Sequence, residues 1–338
     1  MSRSAFPWDV PVCVCAEVGN NHNGDINKAK EMIRRAADAG AHAVKFQMIH
    51  PETLVHPDLL TVAHAKGLHA TQLERLKSIC LQDSAIVELY ECAQKNNIIF
   101  LSTPFDERAV DVLDPFVPAF KVSSGDITHI PLLKHIASKK KPVILSTGMA
   151  SHNEIKKACS IFRGVEVMLL HCVTQYPTPD SSAHLLRIPY LQEHFKIPVG
   201  YSDHVCGISA SVYAAVLGAT FIEKHFTLDK TLPRGDHALS ADPDDLRKLV
   251  SEIGRIERMK GICDNAISSE EAANRRVMRR SLYAAKGIEK GERITREAIA
   301  VLRPEDGLSP DGSDRLIGKT ARVAIQEGTV LKREMFTR

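Results

Sequence analysis

The sequence has few aromatic residues and little net charge, and both features narrow the range of possible functions. Aromatic residues make up 5% of the 338 positions, and the formal net charge is +3. The longest basic run is the three lysines at 139–141. Proteins that bind nucleic acids usually combine a basic surface with aromatic side chains that stack on the bases. We therefore expect no nucleic-acid partner.

The sequence also lacks long apolar stretches and closely paired cysteines. We find neither a run that could cross a bilayer nor a signal peptide, and we expect no membrane partner. The eight cysteines form no C-x-x-C pair; they stand at positions 13, 15, 80, 92, 159, 172, 206 and 263. Cys13 and Cys15 fall on one face of a predicted strand, where a disulfide between i and i+2 is geometrically poor. We interpret all eight as reduced thiols of a cytoplasmic protein.

A regular alternation of short apolar runs and helix-sized segments occupies the first 260 residues. Six predicted strands cover residues 12–18, 43–46, 98–101, 119–122, 142–145 and 165–170. Two more predicted strands end in GYSDH (200–204) and IEKHF (222–226). Eight such repeats over about 250 residues predict an α/β fold, a closed (β/α)8 TIM barrel. An open doubly wound sheet is the alternative, but it usually shows a G-x-G-x-x-G turn, which is missing here. Residues 51–69, with His56, His64 and His69, interrupt the alternation and are interpreted as a surface excursion over the strand ends.

The alternation stops after residue 260. Residues 261–280 are polar and are interpreted as a linker, in which Arg275, Arg276, Arg279 and Arg280 form a solvated helix face. From 281 to 338, short apolar runs separated by Lys-Gly, Asp-Gly and Glu-Gly turns predict a small β-rich domain. A domain of about 58 residues is marginally stable alone, so we expect it to dock on another surface.

Polar residues recur at the predicted carboxyl ends of the barrel strands, where TIM-barrel chemistry takes place. They are Glu17, Lys45, Gln47, Thr103, Lys121, Ser124, Asp126, Ser146, Tyr176, Ser202, His204 and His225. A charged side chain at the end of a buried strand is costly unless it is paired or used. Lys45 and Lys121, surrounded by hydroxyl groups, indicate a site for an anion such as a phosphate.

Two histidines end consecutive strands, and neighbouring strands lie about 5 Å apart. Either histidine alone is more plausibly a satisfied polar residue, but His204 and His225 together could share one metal ion. Such an ion would keep open positions and could polarise an aldehyde. Glu17 ends the first strand, beside the eighth in a closed barrel, and could move protons. Asp236 could join the metal shell or bind a hydroxyl, so the set suits carbon–carbon bond formation onto an aldehyde with a phosphorylated donor.

Six spaced motifs and the C-terminal region resemble the sialic acid (N-acetylneuraminate) synthase family, whose members end in an antifreeze-like SAF domain. The motifs are EVGNNHNG (17–24), VKFQ (44–47), KVSSGD (121–126), STGM (146–149), GYSDH (200–204) and EKHFT (223–227). The resemblance covers nearly the whole chain in the same order. Any one motif alone would be weak, but six in this order are highly specific.

The resemblance implies a transferase that condenses phosphoenolpyruvate with an N-acetylated amino sugar and releases phosphate. N-acetylmannosamine would give N-acetylneuraminate; a 2,4-diacetamido trideoxyhexose, the alternative, would give a legionaminate- or pseudaminate-type acid. By resemblance, His204 and His225 would hold Mn²⁺ or Mg²⁺, and Glu17 would handle water or a proton. Phosphoenolpyruvate would be held by Lys45, Thr103, Lys121, Ser124, Ser146 and Ser202. The sugar would be held by Gln47, Thr174, Tyr176 and Asp236.

The resemblance also implies a domain-swapped homodimer, in which Arg303 reaches the sugar site of the other subunit. Two positions depart from the family pattern near that site. Thr174 stands where Asn or Ser is common among members that use N-acetylmannosamine, and Glu305 follows Arg303-Pro304 where Gly is common. Both departures bear on which sugar is used. Ice binding, a rival suggested by the domain's name, would require a flat, regular apolar face and would leave the polar strand ends without a purpose.

Two rival enzyme classes remain open from the sequence. A Schiff-base aldolase could use Lys45 or Lys121 to form an imine with a pyruvate-like substrate, although such an enzyme does not need the histidine pair. Phosphoenolpyruvate-dependent synthases of sugar acids without an amino group share the barrel chemistry, but we would not expect an SAF-like tail in them.

Overall fold

The computed structural model describes residue 6 and residues 8–60, 71–233, 235–261 and 265–337. Its chain forms two compact units, Met1–Gly261 and Ile262–Arg338. Two histidines of the predicted excursion, His64 and His69, and Cys263 lie outside the described residues. Within the described part of the chain, no helix combines the length and apolar character needed to cross a membrane.

Eight parallel strands form a nearly closed barrel in the first unit and confirm the predicted TIM-barrel fold. The strands are β1 (Cys13–Gly19), β2 (Ala43–Met48), β3 (Ile99–Pro104), β4 (Phe120–Val122), β5 (Val143–Ser146), β6 (Val167–Cys172), β7 (Val199–Asp203) and β8 (Phe221–His225). Their order is β3-β2-β1-β8-β7-β6-β5-β4, and β3 also lies against β4. The first and last strands of the series therefore lie side by side, with Glu17 opposite His225.

Helices surround the barrel, and their apolar residues recur with helical spacing. In the first helix Ala29, Met32, Ile33 and Ala36 are buried against the strands, and the Asp25 carboxylate caps its N-terminus. The helices of this unit are α1 (Ile26–Asp38), α2 (Pro51–Leu54), α3 (Gln72–Ile79), α4 (Ala85–Lys95), α5 (Glu107–Leu113), α6 (Ile130–Ser138), α7 (His152–Ile161), α8 (Arg187–Phe195), α9 (Ser209–Val216) and α10 (Pro243–Lys260). Helices α2 and α3 belong to the connection after β2, where no helix was predicted.

The inside of the barrel is filled by an apolar cluster beneath the strand ends. Inward-facing side chains of this cluster are fully buried; they include Cys13, Cys15, Leu101, Ile144, Leu170 and Phe221. Phe6 and Trp8 stack on each other, and Trp8 packs against Phe221. Because side chains alternate along a strand, Glu17 follows Cys13 and Cys15 on the inner face and lies above this apolar layer.

The second unit contains helix α11 (Ser269–Met278), strands β9 (Ser281–Ala284) and β10 (Ile299–Leu302), and the short helix α12 (Ser313–Leu316). The two strands pair antiparallel over a small core that includes Leu282, Ile294 and Leu331. Helix α11 lies in the segment that was interpreted as a linker. Its arginines do not simply face solvent, because Arg275 and Arg276 form ion pairs with Glu305 and Asp306.

Candidate active site

The carboxyl ends of the barrel strands enclose a cavity of about 280 Å³. Every predicted site residue except Asp236 and Arg303 lines it: Glu17, Lys45, Gln47, Thr103, Lys121, Ser124, Ser146, Thr174, Tyr176, Ser202, His204 and His225. Strand register explains part of this convergence, since Glu17 lies opposite Lys45 on one side and opposite His225 on the other. Residues in register on adjacent parallel strands present their side chains to the same face.

Two lysines and two glutamates form a buried charge cluster at the base of the cavity. The Nζ atom of Lys45 lies 2.7 Å from Oε2 of Glu17 and 3.7 Å from Oε2 of Glu223. The Nζ atom of Lys121 lies 3.5 Å from Oε1 of Glu223. All four side chains are at most 6% exposed. The cluster therefore has two ammonium groups close together in a region from which water is largely excluded.

Sequence reasoning did not identify Glu223 as a site residue. It bridges the two lysines and also accepts a hydrogen bond of 3.0 Å from the Ser202 hydroxyl. The signal was present, because Glu223 stands two positions before His225 on the same strand, and residues at i and i+2 share one face. Cys172, which also lines the cavity, was missed as well.

The surroundings shift the pKa values of the Glu17 and Glu223 carboxyl groups in opposite directions. Burial raises the pKa of the Glu17 carboxyl to about 7, although the Lys45 ammonium opposes this shift. Burial also acts to raise the pKa of Glu223, but Lys121 and Lys45 outweigh it and lower the pKa to about 2. Glu223 thus remains a carboxylate, whereas Glu17 can hold or release a proton near neutral pH. Such separation of paired acids is typical of general acid–base sites.

The two lysines also differ. Burial would lower the pKa of Lys45, but Glu17 and Glu223 outweigh it and raise the pKa overall. Burial lowers the pKa of Lys121 although Glu223 opposes that shift. Lys45 is therefore held as an ammonium ion, and it also donates a hydrogen bond of 3.2 Å to the Thr103 hydroxyl.

Hydroxyl groups surround the ammonium groups, and one of them has no partner within the described structure. The Ser146 hydroxyl is fully buried and lines the cavity, yet no described group hydrogen-bonds to it. Ser124 accepts a hydrogen bond of 3.0 Å from the Gly148 amide. A buried hydroxyl without a partner is unfavourable, so Ser146 is available for a ligand in the cavity.

His204 and His225 also line the cavity, and their ring centroids lie 5.3 Å apart. Nδ1 of His204 lies 2.7 Å from the Val173 carbonyl oxygen, so this nitrogen donates a proton and Nε2 is left as an acceptor. The Tyr176 ring packs against His204 at 4.1 Å between centroids. Burial lowers the pKa of His225 to about 4, which keeps its imidazole neutral.

The two imidazoles fit a divalent metal ion held mainly by outside ligands. Nδ1 of His225 is buried and has no hydrogen-bond partner among the described residues. It lies 3.9 Å from Oδ2 of Asp236, a possible third ligand. Among the described residues, no group of three or more His, Cys, Asp or Glu side chains is already arranged around a metal position. An ion bound here would therefore keep positions open for water or substrate oxygens.

Polar groups with adaptable hydrogen bonds surround the histidines. Gln47 donates a hydrogen bond of 3.0 Å to Glu17 and accepts one of 3.1 Å from Asn20. Thr174 and Tyr176 line the cavity from the segment after β6. These residues could hold the hydroxyl and amide groups of a sugar.

Arg303 belongs to the second unit, where it directly follows β10 and is exposed. The loop that follows is fixed within its own unit. Arg276 forms an ion pair with Asp306 at 2.9 Å, and its carbonyl oxygen accepts a hydrogen bond from the Glu305 amide. Glu305, which departs from the pattern expected after Arg303-Pro304, is the ion-pair partner of Arg275 in helix α11.

Comparison with known proteins gives matches over most of the chain. A model of the NeuB family matches residues 32–264, and a model of the SAF domain matches residues 279–337. The N,N'-diacetyllegionaminic acid synthase of Campylobacter jejuni is 39% identical, covering 94% of this chain and 98% of that protein. A pseudaminic acid synthase of the same species is 35% identical, covering 99% and 100%. The crystal structure of N-acetylneuraminic acid synthetase from Leptospira borgpetersenii is 38% identical, with a TM-score of 0.72, covering 78% of this chain and 90% of that one.

Proposed function

Because the chain belongs to the NeuB family of nonulosonic acid synthases and carries a SAF domain, we propose that it condenses phosphoenolpyruvate with an N-acetylated amino sugar and releases phosphate. The observation that carries this proposal is the buried pair of ammonium groups with nearby hydroxyls, which lines one small cavity together with two imidazoles. The ammonium and hydroxyl groups suit a phosphorylated donor, and the two imidazoles suit an aldehyde acceptor.

Phosphoenolpyruvate would bind over the charge cluster. Lys121 and Lys45 would offset the charges of its phosphate and carboxylate groups, and Ser146 would donate its unused hydroxyl proton. Thr103 and Ser124 would donate their hydroxyl protons too, and Ser202 would do so once its hydroxyl turns from Glu223 to the ligand. Binding of an anion would also relieve the repulsion between two ammonium groups that share one carboxylate, Glu223.

The reaction would form one carbon–carbon bond and break one carbon–oxygen bond. Carbon 3 of phosphoenolpyruvate bonds to the aldehyde carbon of the open-chain sugar, and the aldehyde oxygen takes up a proton. Water adds at carbon 2 and gives up one proton. The carbon 2–oxygen bond to phosphate then breaks, and the remaining hydroxyl proton at carbon 2 leaves with the phosphate, so that a ketone remains. Glu17 would accept the proton from water, because its carboxyl group can change protonation state near neutral pH.

His204 and His225 would hold Mn²⁺ or Mg²⁺, with Asp236 close to His225. A divalent ion at this position would supply Lewis-acid polarisation of the acceptor's aldehyde oxygen. The protein's own part is to keep a lone pair available on each imidazole and to exclude bulk water around them. Burial lowers the pKa of His225, and the bond from Nδ1 of His204 to the Val173 carbonyl leaves Nε2 of His204 as the acceptor nitrogen.

For the acceptor, we favour a 2,4-diacetamido trideoxyhexose, which would yield a legionaminate-type acid, over N-acetylmannosamine. Support comes from Thr174, which departs from the pattern of N-acetylmannosamine-using members, and from the 39% identity to a synthase of N,N'-diacetyllegionaminic acid. N-acetylmannosamine remains the second candidate, supported by the 38% identity to the Leptospira synthetase.

We further propose a domain-swapped homodimer, in which Arg303 contributes to the sugar site of a second copy. An exposed arginine on a loop that α11 holds in place suits such a role. A cytoplasmic location is also proposed, supported by free thiols at every cysteine that the structure describes.

The decisive experiment is phosphate release from phosphoenolpyruvate with Mn²⁺ across a panel of sugars. N-acetylmannosamine, its 6-phosphate and 2,4-diacetamido trideoxyhexoses would be compared by kcat/KM. We expect the highest value with a diacetamido sugar. A preference for N-acetylmannosamine would reverse the choice of acceptor, and no release with any sugar would refute the proposed reaction. His204→Ala should lose activity while its circular dichroism spectrum stays unchanged.

Borohydride trapping separates this reaction from a Schiff-base aldolase. Lys121 is the better candidate for an imine, since burial lowers its pKa, whereas Lys45 is held as an ammonium ion. Reduction in the presence of phosphoenolpyruvate or pyruvate should leave the protein mass unchanged. An adduct of substrate mass on Lys121 would contradict the proposed mechanism.

A further inference from the structure

A fully buried ion pair lies directly behind the two histidines, on the outer face of the barrel. Asp203 and Lys224 are opposite each other in the register of β7 and β8, and both side chains are 0% exposed. The Nζ atom of Lys224 lies 3.3 Å from Oδ2 of Asp203. Each residue immediately precedes a histidine of the site, His204 or His225.

The pair holds the backbone on the carboxyl side of His204 at two points. Oδ1 of Asp203 accepts a hydrogen bond of 2.8 Å from the Val205 amide. Lys224 donates a hydrogen bond to the Val205 carbonyl oxygen. Asp203 thus fixes the peptide group between His204 and Val205, and Lys224 fixes the carbonyl group of Val205.

A third contact connects this arrangement to the helix that follows. The Ser211 hydroxyl in α9 donates a hydrogen bond of 2.6 Å to Oδ2 of Asp203. Both carboxylate oxygens of Asp203 therefore have partners, and the Lys224 ammonium has two. This degree of satisfaction is what allows two charges to remain in a region without water.

Burying an ion pair rarely adds net stability, because the cost of removing two charges from water offsets their attraction. An apolar pair of similar size would fill the same space. Such a pair would not bind both backbone groups of Val205, and the segment after β7 would be held by fewer contacts, among them the hydrogen bond from the Thr178 amide to the His204 carbonyl. The distinctive property of the charged pair is therefore geometric.

We propose that Asp203 and Lys224 are positioning residues, which fix the direction of the His204 imidazole. The inference rests on the proposed role of His204 as a metal ligand. Residues that orient metal ligands from behind typically change metal affinity by about 10- to 100-fold when they are replaced.

The test is the double variant Asp203→Asn with Lys224→Met, which removes both charges and leaves neither one unpaired. The matched control is Val199→Ala, at the other end of β7, which removes packing without touching the strand end. Three quantities are measured: the melting temperature, the ¹H–¹⁵N correlations of the histidine rings without metal, and Mn²⁺ binding by electron paramagnetic resonance.

We expect the double variant to shift the His204 ring signals and to raise the Mn²⁺ dissociation constant about tenfold or more. Val199→Ala should lower the melting temperature and change neither of the other two quantities. Unchanged ring signals and Mn²⁺ affinity in a folded double variant would overturn the inference and leave the pair a purely structural role.

The histidine ring signals still test the inference if the protein binds no Mn²⁺ or if the double variant does not fold. If the wild-type protein takes up no Mn²⁺, the proposed metal site fails, but the ring signals still decide the inference: a shift supports it and no shift overturns it. If the double variant does not fold, Ser211→Ala replaces it, because it removes one partner of Asp203 and keeps both charges. Ring signals in Ser211→Ala identical to those of the wild type would then count against positioning.

Discussion

Replacing Glu223 by glutamine tests the charge cluster most directly. The substitution keeps the size of the side chain and its hydrogen bond with Ser202, but it removes the carboxylate that lies 3.5 Å from Lys121 and 3.7 Å from Lys45. Two buried ammonium groups then share the single carboxylate of Glu17. We expect the ligand-free protein to lose stability and the anion-bound protein to recover it.

The magnitude follows from burial. All four charged side chains are at most 6% exposed, so solvent screens them weakly. Removing one partner of a buried ion pair costs about 3–5 kcal/mol. For a barrel of this size, about 3 kcal/mol corresponds to a fall in melting temperature of roughly 6–12 °C.

Phosphate should act in the opposite direction on the variant. An anion between Lys45 and Lys121 replaces the missing negative charge, so inorganic phosphate should raise the melting temperature of Glu223→Gln more than that of the wild type. The pKa of Glu17 should also fall, because Glu223 is one of the groups that raise it. The acidic limb of the kcat/KM profile should therefore move to lower pH.

Thermal unfolding of both proteins, with and without phosphate, provides the measurement. Glu88→Gln is the control, since Glu88 is a 55%-exposed partner of Lys30 and such pairs contribute about 0–1 kcal/mol. A Glu223→Gln protein that melts at the wild-type temperature without phosphate would refute the reasoning. A larger effect of phosphate on the wild type would refute it equally.

Three further predictions concern other parts of the chain. Ser146→Ala should leave thermal stability nearly unchanged and raise KM for phosphoenolpyruvate about tenfold, because it removes a buried hydroxyl that lacks a partner among the described residues. An unchanged KM would exclude Ser146 from the phosphoenolpyruvate site. Burial would lower the pKa of His50, but hydrogen bonds to Asp83 and Asp106 raise it overall. The contribution of His50 to the free energy of unfolding is thus fully present below its unfolded pKa of about 6.5 and is lost as pH rises through the higher folded value. The free energy of unfolding in urea should therefore differ less between pH 6 and pH 8 in His50→Gln than in the wild type. An equal difference in both proteins would contradict this prediction. Arg276→Ala should free the loop after Arg303 and raise KM for the sugar more than KM for phosphoenolpyruvate, and equal changes in both constants would argue against the proposed role of that loop.

The fold could be predicted from the sequence because each barrel strand is buried on both sides and reads as a short apolar run. The site was largely predictable for a related reason: a polar residue that directly follows such a run must lie at the strand end. Position along the strand is thus a local property, visible in Glu17 or His225. The connection after β2 lacks such regular spacing, and its helices α2 and α3 were not predicted.

Contacts across the barrel were beyond this reasoning. Glu223 comes from β8 and Lys121 from β4, and these strands are not neighbours in the sheet. Their approach depends on how the closed barrel brings opposite strands together, which no local pattern encodes. The ion pairs of Arg275 and Arg276 with Glu305 and Asp306 likewise join segments about thirty residues apart.

The apolar filling of the barrel has a kinetic consequence. The barrel interior below the charge cluster is closed by apolar side chains, among them Leu101, Ile144 and Leu170. The cavity is therefore open only at the carboxyl ends of the strands. The lysines are more deeply buried than Thr174 and Tyr176, so a donor bound over the lysines would lie beneath an acceptor held by those two residues. Substrates should then add in a compulsory order, phosphoenolpyruvate first, and phosphate should leave last. Inhibition by phosphate would be competitive with phosphoenolpyruvate and non-competitive with the sugar.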